Sequence, residues 1–348
     1  MSQNGIVIRG EMFKLAFAPE ATYGVDPGTS AFSRIFGVVQ TANMPDPQIA
    51  FNPIYALGSA SKRNWYIAYK GLITLSGSVP DIWLLNGRPL YFPLGACIDS
   101  GTGAPYTHTI SEVVTLPSLA IHVTFLDSTG AVALMRRFYG GKVNRATISG
   151  SEGDYLKMSY DEILFNNFAH NLVGEPFYDS DVEDITPTYP TTQPYLFSYG
   201  SLKIGGVTFA RIRSFSLSIS NNLEAKNYIQ TTAPAQLPYE HREQRREYGL
   251  TVTVDIEDAS IYKEVIRQGT YSSVYKGIQV EITFTRGAGD AITMKLPYSA
   301  PAAGGDAMGC LITQGAHNIV TDSVVSVPMQ MIGRNLGIVV EDTIPTYP

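Results

Sequence analysis

The stretch AIHVTFLDSTGAVALMRRF, residues 120–138, decides the fold. Val123 and Phe125 fall on one face with Thr124 between them, and a Gly-containing turn leads into a second run of the same kind. This period-two pattern is that of a half-buried β-hairpin. QVEITFTRGAGDAITMKLP, residues 279–297, repeats it, with Ile282 and Phe284 in the places of Val123 and Phe125. A second repeat has nearly the same offset: EDITPTYP at 183–190 returns as EDTIPTYP at 341–348, altered only by an exchange of Ile and Thr. The spacing is too long for a solenoid and suits a duplicated domain.

The other elements recur in the same order. Gly71 opens GLITLSGSVPD and Gly249 opens GLTVTVDIED, both alternating as strands do. Each is expected to run into a short helix, one from Asp81 to Gly87 and one from Asp258 to Gly269, with Asp as N-cap and Gly as stop. Ahead of each strand lies a long irregular stretch, 45–70 and 221–248. Both exceed ordinary connection length, so they read as interface arms. Their candidate contact residues are Phe51, Tyr55, Lys62, Arg63, Trp65 and Tyr66 in the first arm, and Tyr228, Tyr239, Arg242, Arg245 and Arg246 in the second.

These repeats divide the chain into a first β domain over 1–178, an acidic Pro-rich linker over 179–193, a second β domain over 194–340 and an exposed tail over 341–348 that repeats the linker motif. The second domain opens with a strand in which Phe215, Leu217 and Ile219 alternate with serines.

Composition agrees. Of 348 residues 44% are hydrophobic and only 16% charged, with 32 Gly, 21 Pro, 21 Tyr and 15 Phe, a turn-rich and strand-rich balance. The net charge of −6 and the lack of a long basic cluster disfavour specific nucleic-acid binding. Cys97 and Cys310 are too few for a disulfide framework and read as reduced core thiols. The N-terminal stretch, interrupted by Arg9 and Glu11, is not a signal peptide, and no apolar run is long enough to cross a membrane. A soluble protein made in the cytoplasm is expected.

No catalytic or metal constellation stands out. His108, His122, His170, His241 and His317 lack metal-ligand spacing, and His122 reads as a strand residue facing solvent or an interface. Ser59 to Lys62 matches S-x-x-K, but in a loop without the companion motifs. Asp179, Asp181, Glu183 and Asp184 lack the glycine and distal glutamate of a calcium loop. GTGAP at 101–105 is a turn. No cofactor is expected. The arm cations lie among Glu224, Glu240, Glu243 and Glu247, mixed signs that suit salt bridges to an identical neighbour better than a phosphate groove.

Taken in order, several segments resemble the major tail tube proteins of long-tailed, siphovirus-type bacteriophages: MFKLAFAPEATYGVDPG with its E-x-x-Y-G turn, RRFYGGKVNRATISGSEGDYLKMSYDEI with its Y-G-x-x-V-N strand pair, PYLFSYGSLKIGGVTFARIRSFSLSISNNLE, and VEITFTRGAGDAITMKLP. The resemblance covers nearly the whole chain. It implies a mainly β fold of two tandem barrel or sandwich domains, each with a short flanking α-helix and a long interface loop. It also implies a structural, non-enzymatic virion subunit that self-assembles into stacked rings and forms the conduit for genome ejection. Single-domain tube proteins usually form sixfold rings, so two domains per chain imply a trimeric ring with pseudo-sixfold symmetry, the competing arrangement being a hexameric ring whose second domains decorate the outside. The implied partners are further copies, a tape measure protein, a tail terminator and a distal tail protein, with DNA passing through the lumen without specific binding and no membrane contact. A carbohydrate-binding sandwich or adhesin using Trp65 and Trp83, a glycosidase, and another tail ring component are the competing readings.

Overall fold

In the computed structural model the described residues are 13–55, 65, 67–209, 211–229, 236–255, 277–299, 309–315 and 326–348. The expected helix at 258–269 lies outside them, as do Ser59, Lys62, Arg63, Tyr66 and His317. The fold is mainly β. Before the linker come β1 (Phe13–Pro19), β2 (Gln48–Ile54), β3 (Ile67–Thr74), β4 (Ser76–Trp83), helix α1 (Arg88–Tyr91), β5 (Gly95–Ser100), β6 (Tyr106–Glu112), β7 (Leu119–Leu126), β8 (Val132–Ser151), β9 (Lys157–Leu164) and β10 (Asn167–His170). After it come β11 (Gly200–Ile204), β12 (Val207–Phe209), β13 (Ile212–Ser220), β14 (Glu224–Lys226), β15 (Glu240–Arg242), β16 (Glu247–Asp255), β17 (Val280–Gly287), β18 (Asp290–Leu296), β19 (Leu311–Gly315), β20 (Ser326–Gly333) and β21 (Gly337–Asp342).

Pairing is antiparallel and runs alike in the two halves. β1, β7, the start of β8 and β10 lie side by side, as do β11, β17, β18 and β21. β4, β9 and the end of β8 form a second layer, as do β16, β20 and β19. β13 lies along β16, and the short stretch 38–43 lies along β4 through bridges from Val38 to Trp83 and Asn43 to Ser78. The strand β8 serves both layers because it bends at Gly140, whose φ of 59° is open to glycine and whose site has no room for a Cβ beside Asn166.

The halves are not separately closed. β13 pairs with β8, Leu217 opposite Ile148, and β21 pairs with β6, Ile338 opposite Ile110, so each large sheet takes strands from both sides of the linker. Among the described residues both sheets are open, stacked as in a sandwich over a buried cluster that includes Phe17, Tyr160, Leu217, Val252, Phe284 and Ile338.

Several local expectations are corrected. Asp81 does not cap a helix: it lies in β4 with φ 52°, its N–H donating to Ser159 Oγ at 3.1 Å, and β4 is bulged between Val79 and Ile82. The helix starts later, at Arg88–Pro89, where proline's missing N–H costs nothing. The arms are two-stranded ribbons rather than irregular loops, β2 with β3 and β14 with β15. His122 faces neither solvent nor an interface. It is fully buried, because residues 26–32 and the linker cover the second face of β7.

The linker is anchored: Val182 and Ile185 are buried with Ala16, Phe32, Ala120 and Tyr139. The C-terminal octapeptide, expected as an exposed tail, is likewise docked through Asp342 and Tyr347, with Thr343, Pro345 and Thr346 left exposed. Tyr347 stacks on His108 with ring centroids 3.8 Å apart, and its hydroxyl accepts from Gly87 N at 2.8 Å and donates to Asp342. His108 Nδ1 lies 2.6 Å from Asp99 Oδ1, and Nε2 lies 2.8 Å from the Ile344 carbonyl.

Candidate assembly interface

A ribbon of two strands has too little core to stand alone, so what each arm packs against decides its role. The second arm has a seat within the chain. Leu237 and His241 are buried, Gln236 accepts from Ile73 N at 2.9 Å, and His241 Nδ1 lies 2.9 Å from the Tyr23 hydroxyl. Lys142 Nζ, itself buried, donates to the His241 carbonyl at 3.0 Å and to Glu243 Oε1 at 2.7 Å, and Glu243 also accepts from Leu116 N.

Two of the sequence motifs build this seat. Glu20 of E-x-x-Y-G accepts from Gly24 N at 2.9 Å and Gly140 N at 2.6 Å, joining that turn to Y-G-x-x-V-N and aiming Tyr23 at the arm. Asn144, the last residue of the second motif, accepts from Leu223 N at 2.7 Å, and its carbonyl accepts from Asn221 N at 2.8 Å. Buried Asn221 donates in turn to the Val143 carbonyl. The strand pair of the first half thus fixes the root of the arm in the second.

His241 titrates abnormally in this seat. Burial, with the Lys142 charge beside it, lowers its pKa from 6.5 to about 4. Since the folded value lies below the unfolded one, its contribution to stability is intact above pH 6.5 and is lost as pH falls towards about 4. His122, lowered to about 3 by burial and Arg137, acts in the same direction. Chemical unfolding at pH 7 and at pH 4.5 is expected to show lower stability in acid, and His241→Asn is expected to shrink the difference.

The described residues of the first arm have no comparable cover. Phe51 is 61% exposed, Tyr55 68%, Trp65 55% and Tyr69 54%, with Ile54 and Leu72 also exposed. In the second arm Tyr228 and Tyr239 are exposed and pack edge to face, 5.6 Å apart. Three cations of the second arm find partners within the chain: Arg242 Nε with Glu240 at 2.6 Å, Arg245 with Glu247, and Arg246 Nε with Asn221 Oδ1 at 2.6 Å. These three cations of the second arm thus have partners inside the chain, while Lys62 and Arg63 of the first arm lie outside the described residues.

The remaining candidates resolve simply. Asp184 pairs with Lys14 at 2.6 Å and Asp179 accepts from Asp181 N, so the linker acids do not converge. Cys97, Asp99 and His108 lie close enough to share an ion, yet His108 is satisfied at both nitrogens and serves the docked C-terminus. Cys310 is a buried free thiol bonded to the Leu296 carbonyl, whereas Cys97 is half-buried. Trp83 stacks on Tyr155 at 4.8 Å, which removes it as a sugar platform. Tyr23, Leu116 and Lys142 escaped the sequence reading as site residues; the signal for Tyr23 and Lys142 was their place in the two motifs.

The described residues thus present open sheets and an exposed aromatic ribbon. The family model for phage tail tube proteins matches residues 55–328 in one span that crosses the linker, and the chain belongs to that family. No curated protein matches it.

Proposed function

We propose that this chain is the repeating subunit of a siphovirus-type tail tube. Copies join into rings, the rings stack, and the hollow stack conducts the genome during ejection. The observation that carries this reading is the repeated strand order: stretch 38–43, β4, β9 and β8 are followed by β13, β16, β20 and β19 in one continuous sheet that does not close on itself among the described residues. Open strand edges invite aggregation unless assembly covers them. Head-to-tail contacts of this kind close into rings. With two equivalent blocks per chain, three copies supply a pseudo-sixfold ring, and 1–178 and 194–340 act as duplicated units within it.

The solvent face of this sheet suits passage without sticking. It carries Thr147, Ser149, Ser216, Ser218, Thr251 and Thr253, and its cations Arg145 and Lys157 are paired with Glu162 and Asp154 at 3.1 and 2.6 Å. Hydroxyls and neutralised cations offer phosphate little counterion release. The subunit works without catalysis or cofactor, is made in the host cytoplasm, and meets a tape measure protein, a terminator and a distal tail protein in the virion. Sedimentation of the purified chain at rising concentration tests the reading: long polymers support it. A single closed ring at every concentration points to a terminator or distal component, and a persistent monomer of 37.9 kDa overturns it.

A further inference from the structure

We infer that Cys97, Asp99 and His108 form a site for one divalent cation of the zinc class, and that the ion fastens the C-terminal octapeptide to the first half of the chain. The ion is a structural clip, and the site is independent of the tube reading.

The pleat brings the three side chains together. Cys97 and Asp99 are two residues apart on β5 and share a face, and His108 lies opposite Asp99 on β6. Their ligand atoms, a thiol sulfur, a carboxylate oxygen and a ring nitrogen, all lie within 4.8 Å of one another. His108 Nδ1 and Cys97 Sγ are 2.6 and 3.3 Å from the same oxygen, Asp99 Oδ1. Tetrahedral coordination with bonds of about 2.0–2.3 Å spaces ligand atoms more widely, so Asp99 has to draw back by less than about 1 Å. Its side chain is 26% exposed and stands on the last strand of its sheet among the described residues, which leaves it that freedom. A sulfur, nitrogen and oxygen set suits zinc, whereas calcium and magnesium take oxygens.

Two further observations point to a cation. The first is the tautomer of His108, whose side chain is fully buried. Nε2 lies 2.8 Å from the Ile344 carbonyl, an oxygen that only accepts, so Nε2 carries the hydrogen. In the neutral ring Nδ1 is then bare and aimed at a carboxylate. Either a second proton or a metal ion completes that contact. A histidine that donates one nitrogen to a backbone carbonyl and turns the other towards anionic ligands has the arrangement of a metal-bound imidazole. The second is charge. His108 touches both Asp99 and Asp342, and among the described residues neither carboxylate meets a Lys or Arg. A dication balances them, together with the thiolate formed as Cys97 gives its proton to water.

The octapeptide supplies the outer contacts. The Ile344 carbonyl holds Nε2, the Tyr347 ring stacks on His108, and Tyr347 N donates to Asp99 Oδ2 at 3.1 Å. Seating the octapeptide and binding the ion therefore favour each other.

Cobalt(II), then zinc, titrated into the full chain freed of metal by a chelator tests this. One cobalt per chain is expected, with a thiolate-to-cobalt charge-transfer band in the near ultraviolet that one equivalent of zinc displaces. Cys97→Ser abolishes the band, and Cys310→Ser, at the other thiol, keeps it. In the unsubstituted chain zinc shields Cys97 from iodoacetamide, a readout that needs no variant, and slows amide exchange at Tyr347. Removing residues 343–348 weakens zinc binding about 10–100-fold. No cobalt band, a band that survives Cys97→Ser, or alkylation of Cys97 unchanged by zinc overturns the site. Zinc binding that leaves exchange at Tyr347 unchanged overturns the fastening of the octapeptide.

Discussion

Replacing Arg137 by Met is expected to lower the unfolding free energy by about 3–5 kcal/mol, the cost of leaving a buried ion pair half-made. The Arg137 side chain is fully buried in the first half. Nη1 donates to Asp26 Oδ2 at 2.5 Å, Nη2 to Thr29 Oγ1 at 2.7 Å and Nε to His122 Nδ1 at 3.1 Å, with the guanidinium 4.8 Å from the Phe32 ring centre. Methionine fills the volume but leaves Asp26 without its cation beneath the linker. Denaturant unfolding measures the loss, and a change below about 1 kcal/mol, the size of an exposed pair, would contradict the burial argument. The same variant is expected to raise the His122 pKa from about 3, since the Arg137 charge is one of the two main causes that depress it, and NMR titration reads this directly.

Lys142→Met is the second large effect, and it strikes the junction of the halves. The ammonium is the shared partner of the His241 carbonyl and Glu243, and it lies 5.0 Å from the Tyr23 ring centre. Glu243 keeps its bond from Leu116 N and some access to solvent, so the expected loss is smaller than for Arg137, about 2–3 kcal/mol. Removing the positive charge is also expected to raise the His241 pKa from about 4 towards, but not to, 6.5, because burial still opposes the imidazolium. Amide exchange should quicken at residues 236–243 more than in the β17–β18 hairpin. Uniform acceleration would mean that Lys142 supports the whole sheet and not the arm seat.

Period-two alternation made the strands legible where one face is solvated, as in Phe215, Leu217 and Ile219 against their serines. It failed on β7, because a second layer covers the His122 face and alternation reports only one boundary of a strand. The repeats gave no sign that β13 pairs with β8 or β21 with β6, since backbone pairing between distant strands leaves no local signature. The tail looked like linker for its proline and acid content. Its fate is decided by His108, over 200 residues away, whose ring gives Tyr347 a surface to stack on.

The arms were legible as aromatic and overlong, and Phe51, Tyr55, Tyr228 and Tyr239 are exposed. Their charges were not, because Arg242 and Arg245 find carboxylates two residues away along their own strands. The seat of the second arm was hidden for the opposite reason: Tyr23 and His241 meet across 218 residues of chain. Both ends of that contact are polar residues which, in isolation, read as surface.

End-on class averages from electron microscopy of the purified protein, taken at increasing concentration, test the central claim most directly. Three chains around a hollow ring, each contributing two similar lobes to a wall of sixfold appearance, is the result expected from the repeated blocks of the sheet. Six chains per ring would contradict the duplication within the ring, and particles that never close around a channel would contradict the tube itself.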